Sequence, residues 1–463
     1  MRAIVTGVAL LSLVACQPRR ASTSAAYLPA ENEATVFLFL EPSAFGPEGL
    51  DLRLLEVSAI REDGLSSPLP LVLDRIVGGP GERPRLLAWG AIPEGRYAAL
   101  GLSVTSASGE TGRGTPDASQ ETRSAVSFQA QARHAVVLSA TLDPGTRGAG
   151  RLEPVLKAGV PDPPAVGLIG LASDVGTGTV FLFDKAAGRI VRAVRVGAGP
   201  GEIAVDSLGA RAYVPVEGDD SIAVIDLTGA ALIGRIPLTG GDDPAAVVVT
   251  PDGATLLSAN AGSGTVSVID ARAQVETSRV RVGNAPRSLL LNAAGTRAFV
   301  FNTLSNSISV IEVPGGALAA TLSTDASPLR GAFDRTEKRL YVIHRSSPYL
   351  ALFDPQALTA ANKVYVGAGA TALTVDPRSD RIYLARRGTR SVEIFDPFSF
   401  LPIDTLQAPG DVASLTIDRE GNALFLALAA RRSIRSVRLV GKRSVFDMDF
   451  PGEPTWVAFV RER

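Results

Sequence analysis

At 463 residues the chain exceeds what one ordinary hydrophobic core organises, so two or more domains, or a repeat array, are expected. Its 46% hydrophobic and 20% charged residues suit a globular protein and exclude wholesale disorder. The 46 Lys and Arg nearly balance the 47 Asp and Glu, and a net charge of −1 offers a polyanion no basic surface, so no nucleic-acid partner is expected.

The chain opens MRAIVTGVALLSLVAC: one Arg, a mostly apolar run, then small residues before Cys16. A basic start, a short apolar stretch and a small-residue cut site describe a secretory signal over residues 1–16, too short to span a bilayer comfortably. The Leu13-Val14-Ala15-Cys16 ending resembles the lipobox of bacterial lipoproteins. That resemblance implies lipid attachment at Cys16, hence a membrane anchor made of several acyl chains. In that family an Asp after the Cys favours the inner membrane, so Gln17 points to the outer membrane, on its periplasmic or surface side. Cys16 is the only cysteine, so disulfides and Cys-ligated metal or haem are not expected. Residues 17–33 include the small and polar stretch ASTSAAYLPAENE and suit a flexible tether.

From Ala34 to Leu142 come separate apolar runs: ATVFLFLE, DLRLLEVSAI, PLPLVLD, RPRLLAWGAI, RYAALGLSVTSA, SAVSFQAQ and HAVVLSATLD, with turn-rich breaks such as GPEG between them. Short β-patterned runs so spaced predict a small antiparallel β-sandwich over residues 34–142. The order LRLLEVSAI, LPLVLD, IPEGRYAALGLSV resembles prealbumin-like lipoprotein domains of unknown function, and implies at most a carbohydrate-binding-like sandwich. Residues 143–165, DPGTRGAGRLEPVLKAGVPDPPA, are Pro/Gly-rich and read as the interdomain linker.

Residues 166–463 repeat. The runs VFLFD, IAVID, VSVID, ISVIE, LALFD, VEIFD and IRSVR end at 184, 226, 270, 312, 354, 396 and 438, always 42 or 44 residues apart. About twenty residues before six of these ends lies another apolar run, ending at Asp206, Thr250, Asn292, Asp334, Asp376 and Asp418. Between the two come a turn, often with Gly, and an aromatic-led strand such as FVFN302 or YVIH344. Four short strands, a to d, within about 42 residues mark a β-propeller blade. The strands are apolar at both alternate sets of positions because each blade is sandwiched between two neighbours. The array starts at strand b in VGLIGLASD174, and the missing strand a occurs only at the C-terminus, in EPTWVAFV460. The fold class is therefore all-β: a seven-bladed β-propeller whose C-terminal strand closes the first blade, preceded by the small sandwich. Closure of this kind pairs both terminal edges.

The units lack the Gly-His and Trp-Asp pairs of WD repeats and resemble YVTN-type propeller repeats instead. FVFN302, LSAN260 and YVIH344 occupy the signature place, and Pro200, Pro244, Pro286, Pro328 and Pro454 precede strand a. YLAR386 and FLAL428 depart from it, so specificity has to be read from individual positions.

The fourth signature position ends strand b on the face shared by the d–a and b–c connections, where propeller ligands usually sit. It carries Asp174, Asn260, Asn302, His344 and Arg386, with Glu202, Arg287, Arg330 and Trp456 close by at the start of strand a. Such a set has the chemistry of a cup for an anionic or sugar-like ligand: Arg offers a bidentate fork, Trp a flat apolar platform. The competing reading is that Asn and Asp at strand ends cap turns, and that His344 is a hydrogen-bonded loop residue. Acids ending strands a and c (Asp206, Asp334, Asp376, Asp418, Asp226, Asp270, Asp354 and Asp396) read as turn formers.

The expected role is a non-catalytic binding or assembly scaffold at the cell envelope, taking a protein, peptide or glycan. A propeller hydrolase is the alternative. One His in the propeller cannot build a His-rich metal site, and no Cys is available as nucleophile, but a Ca²⁺-dependent lactonase-like site of Glu202, Asn260, Asn302 and Asp174 stays open. The basic run ARRSIRSVRLVGKRS, residues 430–444, has either an anionic-lipid role or the ordinary role of solvated charge.

Overall fold

A computed structural model describes residues 30–42, 51–77, 83–106, 119–143, 147–148, 151–152, 155–206 and 210–460. Cys16, with the expected signal and most of the tether, lies outside the described residues.

The first unit is a pair of packed sheets. Its strands are β1 (Glu33–Leu40), β2 (Asp51–Arg61), β3 (Ser66–Leu69), β4 (Arg75–Val77), β5 (Arg85–Pro93), β6 (Gly95–Ser106), β7 (Gln120–Ala130), β8 (Ala135–Asp143), the short pair β9 (Arg147–Gly148) and β10 (Arg151–Leu152), and β11 (Val155–Gly159). One sheet runs β11-β8-β1-β5 and the other β3-β2-β6-β7, with β4 beside β2. The sandwich is antiparallel except for β1 and β8, which pair in parallel. β11 lies in the stretch expected to be linker. It pairs with β8, and its Ala158 N–H donates to Ser124 Oγ of β7 at 2.8 Å, so the sandwich extends to Gly159. The alternation Leu156–Ala158 within a Pro/Gly-rich context is too short to announce a strand.

The second unit is the propeller. Seven four-stranded antiparallel sheets follow one another, and six of them take their strands in chain order. In the first blade the order is Arg189–Arg195, Thr179–Asp184, Ile169–Asp174, then Pro454–Phe459, so the innermost strand is supplied by the end of the chain. Leu171 faces Ala458 and Ala172 faces Val457 in that register. The seventh blade, Ser414–Asp418 to Ser444–Asp449, meets the first through Thr416, whose Oγ1 donates to the Val457 carbonyl at 2.9 Å. Lys185 closes the same seam, its Nζ donating to Asp418 Oδ1 at 3.1 Å and Glu420 Oε2 at 2.8 Å.

The sandwich packs on this seam. β1 is continuously apolar from Val36 to Leu40 because both its faces are covered there: Val36, Leu38 and Leu40 enter the sandwich core, while Phe37 and Phe39 pack on the propeller. Phe37 meets Phe181 of the first blade edge-on at 5.0 Å, and Phe181 meets Phe450 at 5.4 Å. At the rim Arg85 pairs with Asp449 at 3.0 Å and Arg83 with Asp447 at 3.3 Å, both acids on the outer strand of the seventh blade. Phe181→Ala removes the ring that both units share, and should lower the unfolding free energy by about 3–5 kcal/mol in a denaturant titration. A loss under about 1 kcal/mol would mean that the units do not stabilise each other through this cluster.

Candidate ligand site in the central channel

The repeat register organises the channel. Counting from the residue that pairs with the end of strand b, the third position of strand a is Glu202, Ala246, Ser288, Arg330, Ala372, Ser414 and, in the first blade, Trp456. Four of these are joined across the channel. Arg330 Nη2 of the fifth blade lies 3.0 Å from Glu202 Oε1 of the second, and its guanidinium lies over the Trp456 indole of the first at 4.9 Å. Ser288 Oγ of the fourth blade donates to Glu202 Oε2 at 3.0 Å. These side chains form a crossbar. The Glu202 and Arg330 side chains are only 15% and 19% exposed, and burial pushes the Glu202 carboxyl up against the opposing pull of Arg330 and Ser288.

Against this crossbar lies a cavity of about 290 Å³, walled by the fourth to sixth positions of the inner strands, including Val205, Val248, Leu290, Leu291 and Leu373. Its lining residues run from the third position towards the a–b turns, and none comes from the first two positions of strand a. The sequence pointed to the opposite side, the face of the d–a and b–c connections.

The structure brings Glu202, Arg330 and Trp456 together but not the other candidates. Asp174, Asn260, Asn302 and His344 are fully buried and bonded within or between blades. Asn260 Nδ2 donates to Ser267 Oγ at 2.8 Å and Thr265 Oγ1 at 3.1 Å, and Asn302 Nδ2 to Ser309 Oγ at 2.9 Å and Ser307 Oγ at 3.1 Å, each inside its own blade. His344 Nε2 is 2.7 Å from Thr324 Oγ1, and burial holds its imidazole below the usual range against the opposing pull of Asp325. Arg386 pairs with Glu393 on the neighbouring strand of its own blade. Arg287 sits at the bulge one residue before Ser288 and is exposed, which takes it off the channel register. Most of the strand-end acids do form turns: Asp354 Oδ1, for example, accepts from Gln356 N–H and Ala357 N–H at 2.8 Å each. In the basic run, Arg435 makes a two-bond pair with Asp447 at 2.6 and 2.7 Å, and Lys442 pairs with Asp404.

Asp174 is a closure residue. Its carboxylate accepts the N–H groups of Gly452 at 2.9 Å, Glu453 at 3.0 Å and Thr177 at 3.1 Å, tying the returning tail to the first blade. Gly452 is required there because a Cβ would overlap the Asp174 carboxylate. Burial pushes the Asp174 carboxyl up to about 6, while the three N–H donors pull it down. A folded pKa above the unfolded value of about 3.9 means that the protonated form favours folding. The stability so gained is full below about pH 4 and is lost as pH rises through about 6. Acidifying from about pH 7 to 5 should therefore raise the contribution of this site, and Asp174→Asn, which does not titrate, should flatten that rise in Tm. An unchanged profile in the variant would assign the effect elsewhere.

Ser288 was not visible as a candidate, yet the signal exists: it lies 42 residues before Arg330, in the same repeat position. Among the described residues no group of three or more His, Cys, Asp or Glu is placed to hold a metal.

Residues 246–397 match a family model described as lactonase, 7-bladed beta-propeller. That match takes in Ser288 and Arg330 but neither Glu202 nor Trp456. No curated protein matches the chain. Among 1512 matching solved chains is Kuenenia stuttgartiensis hydrazine synthase, 18% identical, with a TM-score of 0.50, covering 56% of this chain and 88% of that one. At that identity the likeness is one of fold alone, and a fold shared so widely does not assign an activity.

Proposed function

We propose that this chain is a lipid-anchored cell-envelope protein that binds rather than catalyses, with the propeller as its recognition unit for a protein, peptide or glycan. The observation that carries the reading is the crossbar: Glu202 and Arg330 are paired across the channel beside Trp456, leaving a shaped cavity rather than a poised acid and base. Support for the anchor is the Leu13-Val14-Ala15-Cys16 ending after a basic, apolar start. Two measurements test the proposal together. Cys16→Ser should move the protein from the membrane to the soluble fraction. Native mass spectrometry of wild-type protein taken from its own membranes should carry a bound mass that Arg330→Gln loses. Bare wild-type protein, or a bound mass indifferent to Arg330, would contradict the binding role.

A propeller hydrolase is the second reading, favoured by the Ser288 hydroxyl donating to the Glu202 carboxylate at 3.0 Å and by the lactonase-model match. Its Ca²⁺-dependent form would require Asp174, Asn260 and Asn302 to leave the bonds described above. Hydrolysis of an aryl ester or a lactone that disappears in Ser288→Ala would replace the binding role with this one.

A further inference from the structure

The cavity has two unlike ends. At one stand the charged and polar groups of the crossbar; along the rest the wall is apolar, and Val248, Leu290 and Leu291 keep part of their surface uncovered. Uncovered apolar wall beside a few convergent polar groups is the usual composition of a small-molecule site. At about 290 Å³ the space is roughly twice the ~150 Å³ apolar cavity that accepts benzene, which sets the ligand at about a dozen non-hydrogen atoms.

The crossbar also specifies the polar end of the ligand. Arg330 Nε is buried without a hydrogen-bond partner, so the crossbar holds a spare donor that a head group meets once the guanidinium turns towards the cavity. The Glu202 oxygens take Arg330 and Ser288 and retain lone pairs, so acceptors are on offer beside it. Because the two charges already cancel, an anionic head would set its charge beside Glu202 and a cationic one beside Arg330, and neither finds a net opposite charge to offset its desolvation in a poorly solvated channel. An uncharged hydroxyl or amide avoids both penalties, donating to Glu202 while accepting from Arg330 Nε–H.

The geometry points to a small amphiphile as the occupant, its uncharged hydrogen-bonding head on Arg330 and Glu202 and its apolar body along Val248, Leu290 and Leu291. This rests on the binding role proposed above and narrows it to a ligand class.

The chain supplies its own reporter. It has two tryptophans, Trp456 in the crossbar and Trp89 against Phe37 in the sandwich interface. In the full-length Trp89→Phe protein, titration with 1-octanol should shift Trp456 emission saturably. At tenfold excess over half-saturation it should raise Tm by roughly 2 °C. 1-Propanol, with the same head and little body, and octanoate at neutral pH, with the same body and a charged head, should each act at least tenfold more weakly. Val248→Phe, which narrows the cavity, should weaken the 1-octanol response at least tenfold while leaving the unfolding transition in place; Val248→Ile serves the same purpose if Phe disturbs packing. No saturable response to 1-octanol, or an equal response to octanoate or propanol, overturns the assignment. If native protein nonetheless carries a mass that Arg330→Gln loses, the binding role survives and only the ligand class falls.

Discussion

Removing residues 453–463 should abolish cooperative unfolding of the propeller and leave a chain that aggregates. The deleted segment contains Pro454–Phe459, the inner strand of the first blade, and with it Val457 and Val460, both 1% exposed. Without it, strand Ile169–Asp174 loses the inner of its two partners, the Thr416 hydroxyl loses the Val457 carbonyl, and Asp174 loses one of its N–H donors. An unpaired apolar strand edge then faces water, which is a template for pairing between molecules. Denaturant titration followed by circular dichroism should show a broad, shallow transition with a reduced m-value in place of a sigmoid, and light scattering should rise. A truncated chain that unfolds like the full-length protein would mean that the ring does not depend on its tail.

Arg330→Ala should have the second largest effect. It leaves Glu202 buried, bonded only to Ser288, with no cation to offset its desolvation. Breaking one side of a buried ion pair costs about 3–5 kcal/mol, whereas neutralising both sides costs much less. Glu202→Gln in the Arg330→Ala background should therefore restore most of the lost stability, a coupling that a double-mutant cycle reads directly. The pH dependence has a definite sign. Burial already raises the Glu202 carboxyl, and losing Arg330 removes the largest opposing influence, so it rises further. A raised carboxyl favours the folded state when protonated, so the Arg330→Ala deficit should shrink on acidification and be greatest at neutral pH and above. A deficit independent of both pH and Glu202 would mean that Arg330 acts through Trp456 packing alone.

The architecture was legible because the repeat is regular in length as well as in pattern. A spacing of 42 or 44 residues and a leftover strand at the C-terminus leave few topologies other than a closed ring. The continuous apolar run of β1 also carried more than a strand assignment, since a strand wet on one face would alternate. Its Phe37 and Phe39 lie on the propeller, a partner that no local pattern could identify. What the sequence concealed was direction. Asn260, Asn302 and His344 have the chemistry of ligand-binding groups, and only the fold shows that all three are buried, the two amide Nδ2 groups bonded inside their own blades and His344 bonded to Thr324 in the connection from the preceding blade. Glu202, Arg330 and Trp456 sit in different blades, 128 and 126 residues apart in turn, so their meeting depends on how the circle closes. The one-residue bulge at Arg287 decides whether Arg287 or Ser288 belongs to the channel, and β-bulges leave little trace in a run such as PRSLLL. The role of β11 was hidden for a related reason: five residues between prolines and glycines carry too little periodicity to be told from a loop.

The placement of Trp456 beside Arg330, and with it the cavity and its proposed occupant, requires the tail to lie in one register on the first blade. Ala172→Cys with Val457→Cys tests that register, because these residues face each other directly across the two strands and both are buried. Opposed residues of antiparallel strands bring their Cα atoms within about 4.5–5.5 Å, inside the range a disulfide spans. Mild oxidation should join the pair completely and raise Tm, while Ala172→Cys with Phe459→Cys, two residues out of register, should stay reduced. Free thiols in the first variant, or equal oxidation of both, would contradict the closed ring described here.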